Sequence, residues 1–435
     1  MKLNRQILDL AVPNIISNIT VPLLGMADLA LMGHLASQQH VGAIALGTTI
    51  FNMIYMVFAF LRMGTSGFTA QAYGAKENTL SILILSRALF VAVSVAFFLL
   101  IMQLPIERLS FWVLDASKEV EGLTRSYFNI RIWAAPATIS IYAFNGWFIG
   151  MQNAKIPMFI AIIINVINII LNFIFVYFYD LSSDGVAFGT VVAQYIGLSL
   201  ALIFLFKKYP HLLPLWKWKE MMQLRAFKLF MRVNGDIFIR TVLLIFSLSF
   251  FTAVSAQISD TILAVNSILF QFFLFYSYFI DGFAYAAEAL VGKHVGAGNL
   301  QSVKRAVKRL FMWGLMISLP FTAVYFAEND LILRLLTDQQ QVIDNARPYL
   351  FWVALIPLIT FPAFLWDGIF IGATASRPMR NTMVIATLLV YLPAYYLLTP
   401  VMGNHGLWFA LFLFMAARGI SLTVFAPRNV FRFSN

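Results

Sequence analysis

Cysteine is absent from this sequence, and charged residues make up only 11% of its 435 positions. Without cysteine, disulfides, thiolate metal sites and cysteine nucleophiles are excluded. A soluble globular protein has about 25% charged residues and about 45–50% apolar residues, whereas 61% of this chain is hydrophobic. Because so little polar surface cannot cover a chain of this size in water, we expect it to lie in a membrane.

The short motifs of several enzyme classes are also missing. The sequence has no Walker A pattern, no HExxH, no GxSxG, and no GxGxxG that follows a strand. We therefore expect no ATP hydrolysis, no cofactor and no metal ion, and a membrane-embedded enzyme is a distant alternative. The N-terminal stretch has a basic start but no small-residue cleavage site before its apolar run continues, so we interpret it as a retained first span.

Long apolar runs recur along the whole chain, and each reaches the roughly 20 residues that a transmembrane helix needs. They lack the alternation of barrel strands. The sequence therefore predicts an all-α integral membrane protein with twelve transmembrane helices. The predicted spans lie near 8–33, 42–72, 80–104, 123–150, 157–179, 185–207, 228–254, 260–291, 304–326, 345–372, 379–400 and 404–427.

The basic residues are distributed unevenly between the two sides of these spans. With both termini on the same side, 21 of the 30 lysines and arginines lie on that side and five on the other. This asymmetry is the positive-inside pattern, so we expect both termini in the cytoplasm. The net charge of +11 then belongs to the cytoplasmic face of a membrane and indicates no nucleic-acid partner. The remaining four basic residues lie within spans, namely Arg62, Arg131, Arg240 and Arg418.

Two short motifs recur at one constant offset along the chain. NGWFIG at 145–150 matches DGIFIG at 367–372, and AYGAKEN at 72–78 aligns with HVGAGNL at 294–300. Chance similarity between apolar helices is the alternative, but a true repeat predicts two six-helix bundles related by an axis along the membrane normal. The paired glycines favour close helix packing. The predicted domains are an N-lobe with helices 1–6 (1–207), a basic cytoplasmic linker (208–227) and a C-lobe with helices 7–12 (228–435).

The first span carries the stretch LLGMADLALMG, in which Asp28 is the single charged residue. A central aspartate costs about 2.5–3.5 kcal/mol on insertion scales, so its default interpretation is functional. Asn14 and Asn18 share a helical face with Asp28. Pro13 and Pro22 are expected to bend this helix and to free backbone carbonyls.

A stripe of amides follows in the fifth span, where NVINIILN places Asn165, Asn168 and Asn172 on one helical face. Thr190 and Gln194 lie one turn apart in the sixth span. These groups either coordinate a cation or hydrogen-bond neighbouring helices, and the spacing alone leaves both interpretations open.

The second half is polar at different positions. Asp236 and Arg240 are spaced i, i+4 and are predicted to form a structural ion pair on one helix. Functional and structural roles stay open for three further C-lobe candidates, which are Asp281, Glu288 and Asp367. Arg131 is a possible counter-ion for any of these carboxylates.

The polar residues lie in stretches that resemble one transporter family. SNITVPLLGMADLALMGHL, LRMGTSGFTAQAYGAK, NVINIILNFIFV, DGFAYAAEALVGKHVGAGN and WDGIFIGATASRPMRNTM extend from the first span to the eleventh. Together they are similar to the multidrug and toxic compound extrusion (MATE) transporters, and within them to the bacterial DinF-type branch.

This resemblance implies an N-lobe and a C-lobe of six helices each, forming a V around a central cleft. It implies antiport in the cell membrane, in which H⁺ or Na⁺ entry drives export of amphipathic, often cationic compounds by a monomer. The essential acid on helix 1 falls on Asp28, and the bending proline falls on Pro13. The rest of the N-lobe polar cluster falls on Tyr127, Asn145, Asn168, Asn172 and Thr190.

One position departs from the family pattern. Many relatives read NIxLD at the end of the fifth-span stripe, whereas this chain reads NIILN, so Asn172 replaces an acid. A single buried carboxylate can still exchange a proton, which favours H⁺ coupling, while amide and hydroxyl oxygens keep Na⁺ open. The alternative function is a flippase for lipid-linked precursors, since related exporters share the two-bundle plan, and a passive channel is less favoured.

Overall fold

In the part of the chain that the computed structural model describes, all regular secondary structure is helical. Over the described ranges it contains no β-strand, so the all-α prediction is confirmed. It describes residues 2–33, 38–114 and 117–432, without the side chains of residues 21, 26–33, 38, 113 and 329. The side chain of Asp28 therefore lies outside the described residues, although its backbone belongs to the first helix.

Ten α-helices form the described part of the first half and the linker. Their bounds are α1 Lys2–Gly33, α2 Gln38–Phe58, α3 Phe60–Gly74, α4 Asn78–Ile101, α5 Gln103–Val113, α6 Lys118–Arg131, α7 Ala135–Gly150, α8 Lys155–Tyr177, α9 Ser182–Lys208 and α10 Trp218–Met221.

Nine α-helices follow in the described part of the second half. Their bounds are α11 Leu224–Ile258, α12 Asp260–Gly296, α13 Leu300–Ala327, α14 Asn329–Leu336, α15 Gln340–Ala346, α16 Leu350–Gly372, α17 Ser376–Val384, α18 Leu392–Met402 and α19 Asn404–Asn429.

Two predicted spans are interrupted in their interior by a change of helix type, and a third, 345–372, has a 3₁₀ turn at Arg347–Tyr349 near its start. A 3₁₀ turn at Ile132–Ala134 separates α6 from α7, and a π-helical segment at Ile385–Tyr391 separates α17 from α18. Each interior break is followed by a proline in the first turn of the next helix. Proline lacks the N–H that would continue the preceding ladder and its ring clashes with the previous turn, so the hydrogen-bond pattern changes there.

Eleven helical segments among the described residues are long and apolar enough to cross a membrane. They coincide with eleven of the twelve predicted spans. The predicted fourth span, 123–150, is the remaining one. It corresponds to α6 and α7, and it is less uniformly apolar because α6 carries several charged side chains.

The chain divides into two compact units. Unit 1 comprises Met1–Ile15 and Phe230–Asn435, and unit 2 comprises Ile16–Leu229. Helix α1 therefore contributes to both units, and the change falls between its two prolines. The basic linker belongs to unit 2, where Arg87 of α4 donates from Nε to the Met221 carbonyl at 2.9 Å and from Nη2 to the Glu220 carbonyl at 3.1 Å.

The same helix contact occurs in each half, at the offset that the sequence repeat predicts. A Cβ added to Gly146 would lie 2.2 Å from the carbonyl oxygen of Arg62, and one added to Gly368 would lie 2.1 Å from that of Ala284. Only glycine permits such approach of two backbones. The packing role predicted for these glycines is thus confirmed, with α3 against α7 in unit 2 and α12 against α16 in unit 1.

The turns that end these helices repeat as well. Lys76 and Gly298 adopt φ of 59° and 65°, and Gln152 and Thr374 adopt 63° and 52°. Each turn closes with a hydrogen bond from the following residue to a carbonyl five positions back, the Schellman pattern. Both pairs of residues are separated by the same offset as the glycine motifs. The repeat therefore includes positive-φ backbone conformations, which residues other than glycine adopt only at an energetic cost.

Candidate functional site

A chain of hydrogen bonds links α8 to α9 in unit 2. Asn172 donates from Nδ2 to Asn168 Oδ1 at 3.0 Å, and Asn168 donates from Nδ2 to Thr190 Oγ1, also at 3.0 Å. Thr190 in turn donates to the Val186 carbonyl at 2.9 Å. Asn168 and Asn172 are buried, at 2% and 0% exposure. We call Asn172, Asn168 and Thr190 the amide relay; the structure joins these three members of the predicted cluster, and their predicted role as a cation site stays a prediction.

Gly189 makes room for the amide relay. A Cβ at this position would lie 2.1 Å from Asn172 Oδ1, so any side chain would push that amide out of place. The motif GVAFGTVVAQ therefore supplies one glycine that admits Asn172 and, one residue later, the hydroxyl of Thr190.

Asn165, the first amide of the stripe, contacts α1 instead. Its Nδ2 donates to the Thr20 carbonyl at 3.2 Å, which ties α8 to the part of α1 in unit 2. Helix α1 runs as one helix from Lys2 to Gly33, through Pro13 and Pro22. Asn14 is buried and donates to the Leu10 carbonyl of its own helix at 2.8 Å, and it belongs to unit 1.

Tyr127 lies in a second polar group of unit 2, built around Arg131. The guanidinium of Arg131 donates from Nη1 to the Tyr127 hydroxyl and, at 3.1 Å, to Thr48 Oγ1 of α2. Its Cζ lies 5.1 Å from the ring centroid of Phe51 and 5.4 Å from that of Tyr127. Such cation–π contacts favour a guanidinium in an apolar environment.

The remaining candidates of the first half are not joined to the relay by any hydrogen bond within the described ranges. Asn145 lies on α7, and its buried Oδ1 has no partner among the described residues. Gln194 is half-buried one turn beyond Thr190. Asn18 is half-buried on α1 and makes interactions of its own.

Unit 1 contains a buried triad of charged side chains. Arg240 of α11 and Arg418 of α19 both donate to Oδ2 of Asp367 on α16, the Arg418 contact at 2.6 Å. Their side chains are 2–9% exposed. The predicted pair of Asp236 with Arg240 is therefore wrong. Helical spacing places those two on one face, but Arg240 has a buried acid on a neighbouring helix.

Asp236 has other partners, on α17. It accepts from Arg380 Nη1 at 2.6 Å and from Ser376 Oγ at 2.8 Å, both on α17. Of the other C-lobe candidates, Glu288 is buried and Asp281 is half-buried, and both make interactions. Their roles stay predictions.

Sequence reasoning missed the importance of three residues in these groups, Arg418, Arg380 and Thr48. Arg418 carries the clearest signal, since an arginine in an apolar span is costly and is expected to have a polar or acidic partner. Thr48 and Arg380 carry none, because hydroxyls are common in spans and Arg380 lies close to a second basic residue, Arg377, on α17. In the described part of the chain, no three His, Cys, Asp or Glu side chains converge as a metal site requires.

A small cavity of about 130 Å³ lies between α11 and α12 in unit 1 and is lined by residues that include Phe251, Ser255, Asn266 and Gln271. Asn266 is saturated there by Ser255, Asn404 and Trp408 at 2.7–3.0 Å. The cavity is smaller than the roughly 300–1,000 Å³ of drug-sized pockets, and we interpret the Asn266 group as structural.

The residues that a protein-family model matches show the family of this chain. The MatE family model matches residues 13–174 and 237–397, once in each half. The chain belongs to the MatE family. It is 36% identical over 427 residues to DNA damage-inducible protein F of Escherichia coli, covering 97% of this chain and 91% of that relative. The DinF-type branch indicated by the sequence is thereby confirmed.

More distant members of the MatE family match over most of the chain. The probable multidrug resistance protein NorM of Thermotoga maritima is 20% identical over 80% of this chain and 75% of its own. A crystal structure of MATE in the bent conformation matches with a TM-score of 0.89 at 18% identity, over 99% of this chain and 96% of that one. The MatE fold of this chain is therefore that of a membrane transporter.

Proposed function

We propose that this MatE protein exports amphipathic, often cationic compounds across the cell membrane in exchange for H⁺, with Asp28 as the group that takes up the proton. One observation carries the proposal. The amide relay joins three of the positions that the family resemblance assigns to the N-lobe polar cluster around the acid of helix 1. Relatives with multidrug export in their names, among them MepA of Staphylococcus aureus, support the substrate class.

The chemistry of the relay supports proton exchange at a single acid. Amide and hydroxyl groups do not ionise at physiological pH, so Asn168, Asn172 and Thr190 hydrogen-bond without changing charge. In this proposal Asp28 alternates between a charged form that accepts a cationic substrate and a neutral, protonated form that releases it. The outer face of the membrane supplies the proton, and the cytoplasmic face receives it.

Helix α1 is the element that protonation is proposed to move. Pro13 and Pro22 lack N–H groups, so the carbonyls four residues earlier lose their helical donors and the helix is locally easier to bend. The division between the two compact units also falls between these prolines. We propose that neutral Asp28 lets α1 repack there, which narrows the cavity of the N-lobe and displaces substrate.

The charge pattern supports an orientation with both termini in the cytoplasm of a bacterial cell, in the inner or plasma membrane. Within this proposal the protein acts as a monomer and contacts membrane lipid around its apolar perimeter. The lobes correspond to 1–207 and 228–435, with 208–227 as the cytoplasmic linker.

Everted membrane vesicles test the export function. Respiration acidifies their lumen, so we expect uptake of a fluorescent cationic dye that an uncoupler abolishes. Asp28→Asn should lose this uptake at normal expression, whereas Asp9→Asn should retain it. Asp9 is a suitable control because it lies on the same helix, is largely exposed and pairs with the exposed Arg5 at 3.8 Å. Equal uptake by Asp28→Asn and wild type would refute the role of Asp28.

The coupling ion is tested by restoring the family's second acid. Two carboxylates in one cavity suit Na⁺, whereas one acid and neutral amides favour H⁺. We therefore expect Asn172→Asp to acquire Na⁺-dependent dye transport that the wild type lacks. Wild-type transport driven by a Na⁺ gradient, with no pH gradient present, would contradict H⁺ coupling. Dye transport that the uncoupler leaves intact would instead favour a passive channel.

A further inference from the structure

Arg131 is a cation in the predicted fourth span whose identified partners are all neutral. Its Nη1 donates to two hydroxyls, those of Tyr127 and Thr48, and its plane lies near the rings of Phe51 and Tyr127. Within the described ranges, no carboxylate forms an ion pair with it. In unit 1, by contrast, the two buried arginines of the triad share Asp367.

The other acids near the same helix already have partners. Asp184 accepts from Ser126 at 2.9 Å, and Glu107 pairs with Arg125 at 3.0 Å. The repeat does not require a cation here either, since the equivalent position of the second half is Val353. Arg131 is therefore specific to the first half, and helix packing common to both halves does not explain it.

The arrangement leaves one edge of the guanidinium unused. Nη1 is engaged by the two hydroxyls, while Nε is buried without an acceptor and Nη2 makes no hydrogen bond to any group that the structure describes. The Nε–H and one Nη2–H point in the same direction and form the fork that receives both oxygens of a carboxylate. The two hydroxyl contacts fix the orientation of this fork.

We propose that the Nε–Nη2 edge of Arg131 binds a carboxylate carried by an amphipathic substrate. The proposal rests on the export function and extends its substrate range from cations to molecules with an acidic group. A guanidinium suits this task better than an ammonium because it binds bidentately and stays protonated. An aromatic and aliphatic environment strengthens the ion pair, since the local dielectric is low.

Binding of three matched probes to the purified full-length protein tests the proposal. The probes are 11-(dansylamino)undecanoic acid, its methyl ester, and the same chain ending in a trimethylammonium group. We expect wild type to bind the acid more tightly than the ester. Arg131→Gln should weaken binding of the acid by about 10- to 100-fold and leave the ester unchanged. Arg131→Lys should be intermediate, because it retains the charge but loses the fork.

Lys118→Gln is the matched control, because it removes the same charge from an exposed position of α6 and should not alter the preference. Wild-type protein that binds acid and ester equally would overturn the proposal. So would a folded Arg131→Gln protein that loses all three probes equally, since that result assigns Arg131 a purely structural role. If the Arg131→Gln protein does not fold, Arg131→Lys is the deciding variant. An Arg131→Lys protein that keeps the full wild-type preference for the acid over the ester would overturn bidentate binding.

The carboxylate of Asp28 is the competing occupant of this edge. If Arg131 holds Asp28, then Arg131→Gln should alter binding of the trimethylammonium probe, and that effect should vanish in an Asp28→Asn background. This outcome would also overturn the proposal. Because binding is measured without transport, an acid preference in a protein that exports no probe would refute the export function alone.

Discussion

Asn172 donates a hydrogen bond to Asn168 across one turn of α8, and the same Asn168 amide donates to Thr190 on the neighbouring helix. Asn168 thus uses its acceptor within its own helix and its donor between helices. Because these two hydrogen bonds fix the orientation of both amides, the relay holds three uncharged side chains in place. It gives the acid of helix 1 a neutral, polar environment in the proposed mechanism.

Removing the central amide should break the relay. Asn168→Ala leaves a buried Asn172 donor without its acceptor, which we expect to cost about 1–3 kcal/mol of unfolding free energy and to abolish dye export. Asn234→Ala is the control. Asn234 is equally buried but donates only to the Phe230 carbonyl of its own helix. Thermal unfolding in detergent and vesicle uptake measure both effects, and export by Asn168→Ala at the wild-type rate would contradict the role of the relay.

Because the same glycine contact occurs in both halves, we expect one added methyl group to destabilise the protein at either position. Gly146→Ala and Gly368→Ala each force a Cβ against a backbone carbonyl, and overpacking of this kind costs about 1–3 kcal/mol. Gly235→Ala provides the comparison, since no atom lies within 4 Å of its added Cβ and alanine is the better helix former. Unfolding temperatures should fall for the first two variants and stay equal or rise for the third.

The buried triad of unit 1 predicts a large loss of stability when the negative charge of Asp367 is removed. Asp367→Asn leaves two guanidiniums without their acid, and breaking a buried pair costs about 3–5 kcal/mol. Removing one arginine at the same time, in Arg240→Gln/Asp367→Asn, should restore part of that loss. Asp344→Asn breaks an exposed pair with Arg347 at 3.1 Å and should change the stability little, because water screens exposed pairs. If Asp367→Asn and Asp344→Asn have equal unfolding temperatures, the triad does not stabilise unit 1.

A pH dependence is expected from the ion pair between Asp330 of α14 and Arg347, which directly follows α15. Arg347 donates from Nε and Nη2 to both oxygens of Asp330, and these hydrogen bonds lower the pKa of Asp330 below its ordinary value of 3.8. The pair therefore stabilises the folded protein above that value, and the contribution is lost as the pH falls through the lowered pKa. Since both groups are exposed, the effect is small and weakens with salt.

Comparing wild type with Asp330→Asn measures this contribution. Their unfolding temperatures should differ slightly at neutral pH and converge in strong acid. A difference that grows on acidification would have the wrong sign for a carboxylate with a lowered pKa.

Some features of the fold and of the candidate site can be predicted from the sequence, and others cannot. Span positions and the repeat follow from local patterns, namely apolar run length and glycines at a fixed offset. The part of the relay within α8 also follows, because helical spacing places Asn168 and Asn172 on one face, whereas the hydrogen bond to Thr190 depends on how α8 packs against α9. The partner of Arg240 does not follow. Spacing indicated Asp236, four residues away, whereas the structure selects Asp367, 127 residues along the chain.

Ion-pair partners depend on how helices pack, and one sequence does not record that packing. The interruption before α7 lies between these cases. Its proline was visible in the sequence, but whether a proline bends a helix or changes its hydrogen-bond type depends on the neighbouring helices.

Proton release on substrate binding tests the role of Asp28 most directly. Purified wild-type protein in weakly buffered detergent solution should release protons when a cationic substrate is added, because substrate and proton compete for the charged form of one acid. Asp28→Asn should release none, while Asp9→Asn should match wild type. Equal proton release from Asp28→Asn and wild type would contradict the assignment of Asp28 as the coupling residue.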